Sequence, residues 1–79
     1  MEKSITKRNL IGPRVMQERQ RQGLSRKSVC GEMEAYNVKM SPRTLSSLER
    51  QKRPAFDKEM CALSKVLKVS LDWLLGRDA

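Results

Sequence analysis

At Ser41-Pro42 the chain is driven to start a helix: a serine oxygen can accept a hydrogen bond from the first turn, and a proline at the first helical position gives up an N–H that would have no partner. The helix this predicts, about residues 42–51, has two unlike faces. Leu45 and Leu48 stand three residues apart on one of them, and Arg43, Ser46, Ser47 and Arg50 fall on the other. Arg50, Lys52 and Arg53 gather at its end, where cations suit the negative end of the helix dipole and can equally meet phosphate. Taken alone, the segment also describes an ordinary surface helix with solvated charges, so its neighbours decide what it is.

Upstream, a first helix is predicted to start between Asn9, an N-cap residue, and Pro13, which fits only a first turn, and to run to Gln22, with Gly23 closing it. Ile11, Val15 and Arg19 recur every four residues along it, so an apolar row ends in a charge that needs a partner. Ser25 caps a second helix with Val29, Cys30 and Met33 inward, reaching toward Tyr36 and ending at Asn37, which tolerates a left-handed backbone. Gly31 inside it predicts close helix packing. After Pro54, Asp57 is expected to cap a fourth helix, with Met60, Leu63, Ser64 and Leu67 at inward spacing and Phe56 packing just ahead of it. Ser70 caps a short fifth helix, Leu71 to Leu75, closed by Gly76, and Trp73, Leu74 and Leu75 read as core rather than as a stacking platform for bases. The chain reads as all-α with five helices, without a strand pattern or a repeat.

Its 79 residues allow one modest core, since a chain of this size buries roughly 60% of its unfolded surface. The net charge of +8 lies entirely in residues 1–53, which hold 13 basic and 5 acidic side chains, whereas residues 54–79 hold 4 of each. The first two thirds therefore carry the footprint of a polyanion binder. Residues 1–8 read as a flexible basic arm, with Lys3, Lys7 and Arg8 able to follow a DNA backbone, and residues 9–79 as the domain. No apolar run of membrane-spanning length and no signal-peptide core is present, which predicts a cytoplasmic location. With no histidine, and with Cys30 and Cys61 at no metal-binding spacing, neither a zinc site nor a Cys–His or Ser–His catalytic pair is expected, and the cysteines are expected to be reduced and separately packed. Glu32 and Glu34, two apart on a helix, point to different sides and make no acid/base pair. Non-enzymatic binding without a cofactor is the expectation.

In this order Gly23-Leu24-Ser25, residues 41–53 and residues 67–76 (Leu-Lys-Val-Ser-Leu-Asp-Trp-Leu-Leu-Gly) resemble the repressor/Cro-like, or XRE-type, helix-turn-helix family over roughly residues 9–76. The resemblance implies a compact five-helix DNA-binding domain in which helices 2 and 3 form the helix-turn-helix and helix 3 enters the major groove. It implies a nucleoid-associated transcriptional regulator occupying a double-stranded operator, in many members as a homodimer on paired half-sites. By matching position, Pro42, Arg43 and Ser47 resemble the base-reading residues, and Arg26 a residue that touches the backbone and sometimes a base. Lys39, Arg50, Lys52 and Arg53, as cations able to displace a counterion, and Thr44, through its hydroxyl, are the further backbone candidates. The same match implies a structural ion pair between Arg19 and Glu49. Two departures stand out: about five extra residues lie between Cys30 and Ser41, and Glu18 occupies a position that is commonly apolar. The alternative from another class is a protein-interaction or antitoxin-type module on the same fold. RNA binding is less favoured, because the chain has only three aromatic residues and Phe56 and Trp73 read as structural.

Overall fold

The first helix, α1 (Gly12–Arg21), carries Pro13 in its first turn, as its missing N–H requires. Asn9 caps it from just outside, its Oδ1 accepting the Gly12 N–H at 2.8 Å. At the other end the Gly23 N–H reaches Gln20 O and the Leu24 N–H reaches Arg19 O, both at 3.0 Å. This paired closure needs a left-handed residue, and Gly23 supplies it with φ of 71°. The structure is a computed structural model and describes residues 7–77; the expected arm falls largely on residues 1–6, outside the described residues.

Ser25 starts α2 (Arg26–Met33), its Oγ accepting the Ser28 N–H at 3.0 Å. The helix tightens into a single 3₁₀ turn, Glu34–Tyr36, and stops at Asn37, whose φ is 64°. The extra residues between the second and third helices are therefore an added turn rather than a loose loop. Val38 returns its N–H to Met33 O at 3.3 Å and buries its side chain, and Lys39 and Met40 lead to Ser41. Ser41 caps α3 (Pro42–Glu49), two residues shorter than the sequence suggests, because Arg50 is the cap and Gln51 turns left-handed with φ of 61°.

The fourth helix, α4 (Asp57–Leu67), corrects two expectations. Asp57 is its first helical residue and not its cap; Phe56 holds the cap position, and the Glu59 carboxylate accepts the Phe56 N–H at 3.1 Å. Phe56 does not pack into the core but stays 57% exposed, beneath the Arg53 guanidinium at 5.5 Å. Ala62 and Val66 are buried with Leu63 and Leu67, whereas Met60 is only half-buried, so the inward face of α4 is turned from the predicted row. Ser70 starts α5 (Leu71–Leu74), whose Leu74 is fully buried, with Trp73 and Leu75 packed against the core edge.

The core joins Ile11, Val15, Val29, Cys30, Met33, Val38, Leu45, Leu48, Ala62, Leu63, Val66, Leu67 and Leu74, so every helix contributes to one apolar centre. Among the glycines a close approach is made at Gly12, where α1 meets the end of α3. A Cβ there would lie 2.7 Å from the Glu49 carbonyl oxygen and closer still to that of Leu48. Gly31, for which close packing was expected, faces solvent, and a Cβ at that position would meet nothing within 4 Å.

Candidate nucleic-acid interface

The first turn of α3 is locked before any partner arrives. Ser41 Oγ accepts the Thr44 N–H at 3.1 Å and donates to Thr44 Oγ1 at 2.9 Å, while Pro42 fixes the backbone between them. Leu45, Leu48 and Glu49 point inward and are buried. The opposite strip carries Arg43 and Arg50, both exposed, with Ser46 and Ser47 half-buried between them. Pro42 is exposed at the leading end, and Thr44 is half-buried with its hydroxyl held by Ser41. The three residues expected to read bases thus share one helix and face outward from its first two turns.

Beneath this strip lies an ionic joint. Arg19 donates from Nε to Glu49 Oε2 at 2.7 Å and from Nη2 to Oε1 at 3.2 Å, and from Nη1 to the Leu24 carbonyl at 3.0 Å. The pair is buried, with 9% of the arginine side chain and none of the glutamate exposed. The expected partnership of Arg19 with Glu49 is therefore present. Arg26 joins it from the start of α2, its Nε donating to Glu49 Oε1 at 3.0 Å. One carboxylate thus ties α1, α2 and α3 together and leaves a net positive charge at the surface end, where Arg26 is 36% exposed. Arg26 was expected as a DNA contact; no local pattern signals that it also bonds Glu49.

The other expected backbone residues divide. Lys39 and Lys52 are exposed and, like the base-reading candidate Arg43, have no charged partner among the described residues. Arg50 makes only a long 3.4 Å bond from Nε to Ser46 O. Arg53 is engaged with Glu59 through two bonds, at 2.9 and 3.2 Å, so its charge is largely offset by α4.

The segment before α1 is stitched to the end of α3. Arg8 N–H donates to Gln51 O at 3.0 Å, Gln51 Nε2 donates to Asn9 O at 2.9 Å, and Asn9 Nδ2 donates to Leu48 O at 3.0 Å and Arg53 O at 2.8 Å. Asn9 is thus both a cap and a cross-link, and only the first role is legible in the sequence. Glu18, the other departure, is buried beside Arg21 and Gln22. Hydrogen bonds from Arg21 and then from Gln22 hold its carboxyl down to about 2 from the usual 4.5.

A family model described as helix-turn-helix matches residues 15–74, most of the chain. The chain belongs to the XRE-type, Cro-like helix-turn-helix family. No curated protein and no solved structure matches it. As a helix-turn-helix protein it is a DNA-binding regulator of a family that is typically non-enzymatic, with α2 and α3 as the motif. Among the described residues no helix is long and apolar enough to cross a membrane, and no group of three or more His, Cys, Asp or Glu is placed to hold a metal ion.

Cys30 and Cys61 are both free thiols. Cys30 is packed in the core as expected, and burial together with the Glu49 charge pushes its thiol pKa up. Cys61 departs from the expectation of two packed cysteines, since it is exposed on α4.

Proposed function

We propose that this helix-turn-helix protein binds a specific double-stranded DNA operator and regulates transcription by occupying it, with α3 in the major groove. The observation that carries the reading is the outward strip of α3, which presents Pro42, Arg43 and Ser47 from a pre-capped first turn while Leu45 and Leu48 anchor its back. Arg43 has an unencumbered guanidinium and can give two parallel hydrogen bonds to guanine O6 and N7. Ser47 can bond several bases, and Pro42 can touch a thymine methyl. Arg26, Lys39, Thr44, Arg50 and Lys52 hold the phosphates on either side, and Arg53 contributes least because Glu59 occupies it. A homodimer on paired half-sites follows for a domain this small, since a single α3 spans too few bases for an operator.

The test separates reading from holding. Selection of bound sequences from a random duplex pool yields the operator and its symmetry; binding is then measured on operator and scrambled duplex over a salt series. Arg43→Ala should weaken operator binding by about 1 to 3 kcal/mol and relax preference at one base pair, with little change on scrambled DNA. Lys52→Ala should weaken both alike and lower the slope of log affinity against log salt by about one unit. Equal losses for Arg43→Ala on both duplexes, with the preference kept, would remove α3 as the reading element.

A further inference from the structure

The stitching at the end of α3 brings together cations that lie more than forty residues apart in sequence. The Arg8 N–H is bonded to the carbonyl of Gln51, the residue between Arg50 and Lys52. Gln51 can make this bond because its left-handed backbone, φ of 61°, turns the chain at that point, and its side chain holds Asn9 O as well. The side chains of Lys7, Arg8, Arg50 and Lys52 are all exposed, and none has a carboxylate partner among the described residues. Elsewhere exposed arginines are paired where an acid is near, Arg21 with Glu18 being an example. At this corner backbone and amide hydrogen bonds fix the main chain of Arg8 and Asn9 against Gln51, so that four exposed cations flank one junction, two from each segment, and like charges gathered at one junction repel until an anion meets them.

From this we propose that Lys7 and Arg8 belong to the fixed phosphate-binding surface of the protein, forming with Arg50 and Lys52 one cationic corner that grips the DNA backbone beside the end of α3. Asn9 is its positioning residue: its amide nitrogen is shared by Leu48 O and Arg53 O, and its carbonyl is held by Gln51. The proposal rests on the DNA-binding reading above and assigns part of its affinity. The occupant is a phosphodiester backbone, because unpaired Lys and Arg side chains at this corner offer charge and donors to phosphate oxygens, and every neutralised phosphate releases a condensed counterion.

The test is duplex binding over about 50 to 200 mM salt for the wild type and for Lys7→Ala/Arg8→Ala, which keeps the Arg8 N–H and so the bond to Gln51. The control Lys65→Ala/Lys68→Ala removes the same charge from the end of α4, where Leu67 O is held by Gln22 at the end of α1 opposite to the one that Arg8 adjoins. The corner variant should lower the salt slope by about 1.8 units, so that the wild type loses about tenfold more affinity than the variant over that range, on operator and random duplex alike. The control should keep the wild-type slope. Without DNA, the wild type should gain more in melting temperature from added salt than the corner variant does, because salt screens a repulsion that the variant lacks. A wild type that binds DNA while the corner variant keeps its slope, or a control that lowers the slope equally, overturns this proposal and leaves the DNA-binding reading standing. A wild type with no affinity for duplex DNA overturns both.

Discussion

Arg19 stands at the end of an otherwise apolar row, and its side chain is as buried as that position demands. A guanidinium there is tolerable only because Glu49 takes two of its donors and Leu24 O a third. Arg19→Ala takes two of the three donors from the buried Glu49 carboxylate and leaves it only the partly exposed Arg26, so it should cost about 3 kcal/mol, the lower end of the range for breaking a buried pair. In thermal melts this is a fall of at least ~12 °C for a domain of this size. Arg21→Ala, which removes a side chain that is 68% exposed, should melt well above it. Equal melting temperatures would refute the buried joint. Glu18 gives a second test at this scale. Its carboxyl is held at about 2 in the folded chain against the usual 4.5, so its contribution to stability is fully present above about pH 4.5 and is lost as pH falls through 2. The difference in melting temperature between wild type and Glu18→Gln should therefore shrink steadily from about pH 5 to about pH 2. A constant difference across that range would show that ionisation of Glu18 does not contribute. That Arg19 needs an acid is legible in the row itself. The partners of Glu18, Arg21 and Gln22, stand three and four residues on along one helix, a spacing the sequence also holds, but one that many unbonded pairs share.

At the scale of elements, the helix starts are legible wherever a side chain does the capping. Ser25, Ser41 and Ser70 each accept the N–H three residues on, a contact contained within one turn. The helix ends are legible where Gly23, Gly76 or Asn37 supplies a left-handed residue, but Gln51 and Lys68 adopt the same conformation with φ of 61° without that signature. In each of those two cases the next residue returns its N–H into the helix, Lys52 to Ser47 O at 2.9 Å and Val69 to Ser64 O at 3.0 Å, so the closing bonds outweigh the modest cost of the backbone. The glycines divide in the opposite sense to the expectation. Gly12→Ala should destabilise by about 1 to 3 kcal/mol, because the new methyl meets the Leu48 and Glu49 carbonyls, which are backbone and cannot swing aside. Gly31→Ala meets nothing and should stabilise by up to about 1 kcal/mol through helix propensity. Chemical denaturation of both variants checks the pair, and a neutral Gly12→Ala would mean that α1 and α3 can separate at Gly12 without loss.

For the whole molecule, one core shared by all five helices predicts one unfolding transition. The four-residue α5 cannot persist alone, and besides the burial of Leu74 it is held by Arg14, whose Nη1 donates to Trp73 O at 2.9 Å with the guanidinium 4.8 Å from the indole ring. Trp73 fluorescence and far-ultraviolet circular dichroism should therefore report the same denaturant midpoint; an earlier fluorescence change would mean that α5 detaches first. The sequence by itself determined the all-α class, the order of the five helices, the capped start of α3 with its apolar and polar faces, and the existence of an unmet charge at Arg19. These rest on caps, turns and periodicities that act within a few residues, where residue type and spacing are sufficient. Only the tertiary structure decided that Arg26 shares Glu49 with Arg19, that Arg53 turns to Glu59, that Gly12 rather than Gly31 is the glycine at a close approach, and that Arg8 is bonded beside Arg50 and Lys52. Several of these contacts join residues 23 to 44 positions apart, such as Arg26 with Glu49 and Asn9 with Arg53. They depend on where packed helices aim their side chains and end carbonyls, and a backbone carbonyl carries no residue-specific signature in the sequence that would announce its partner.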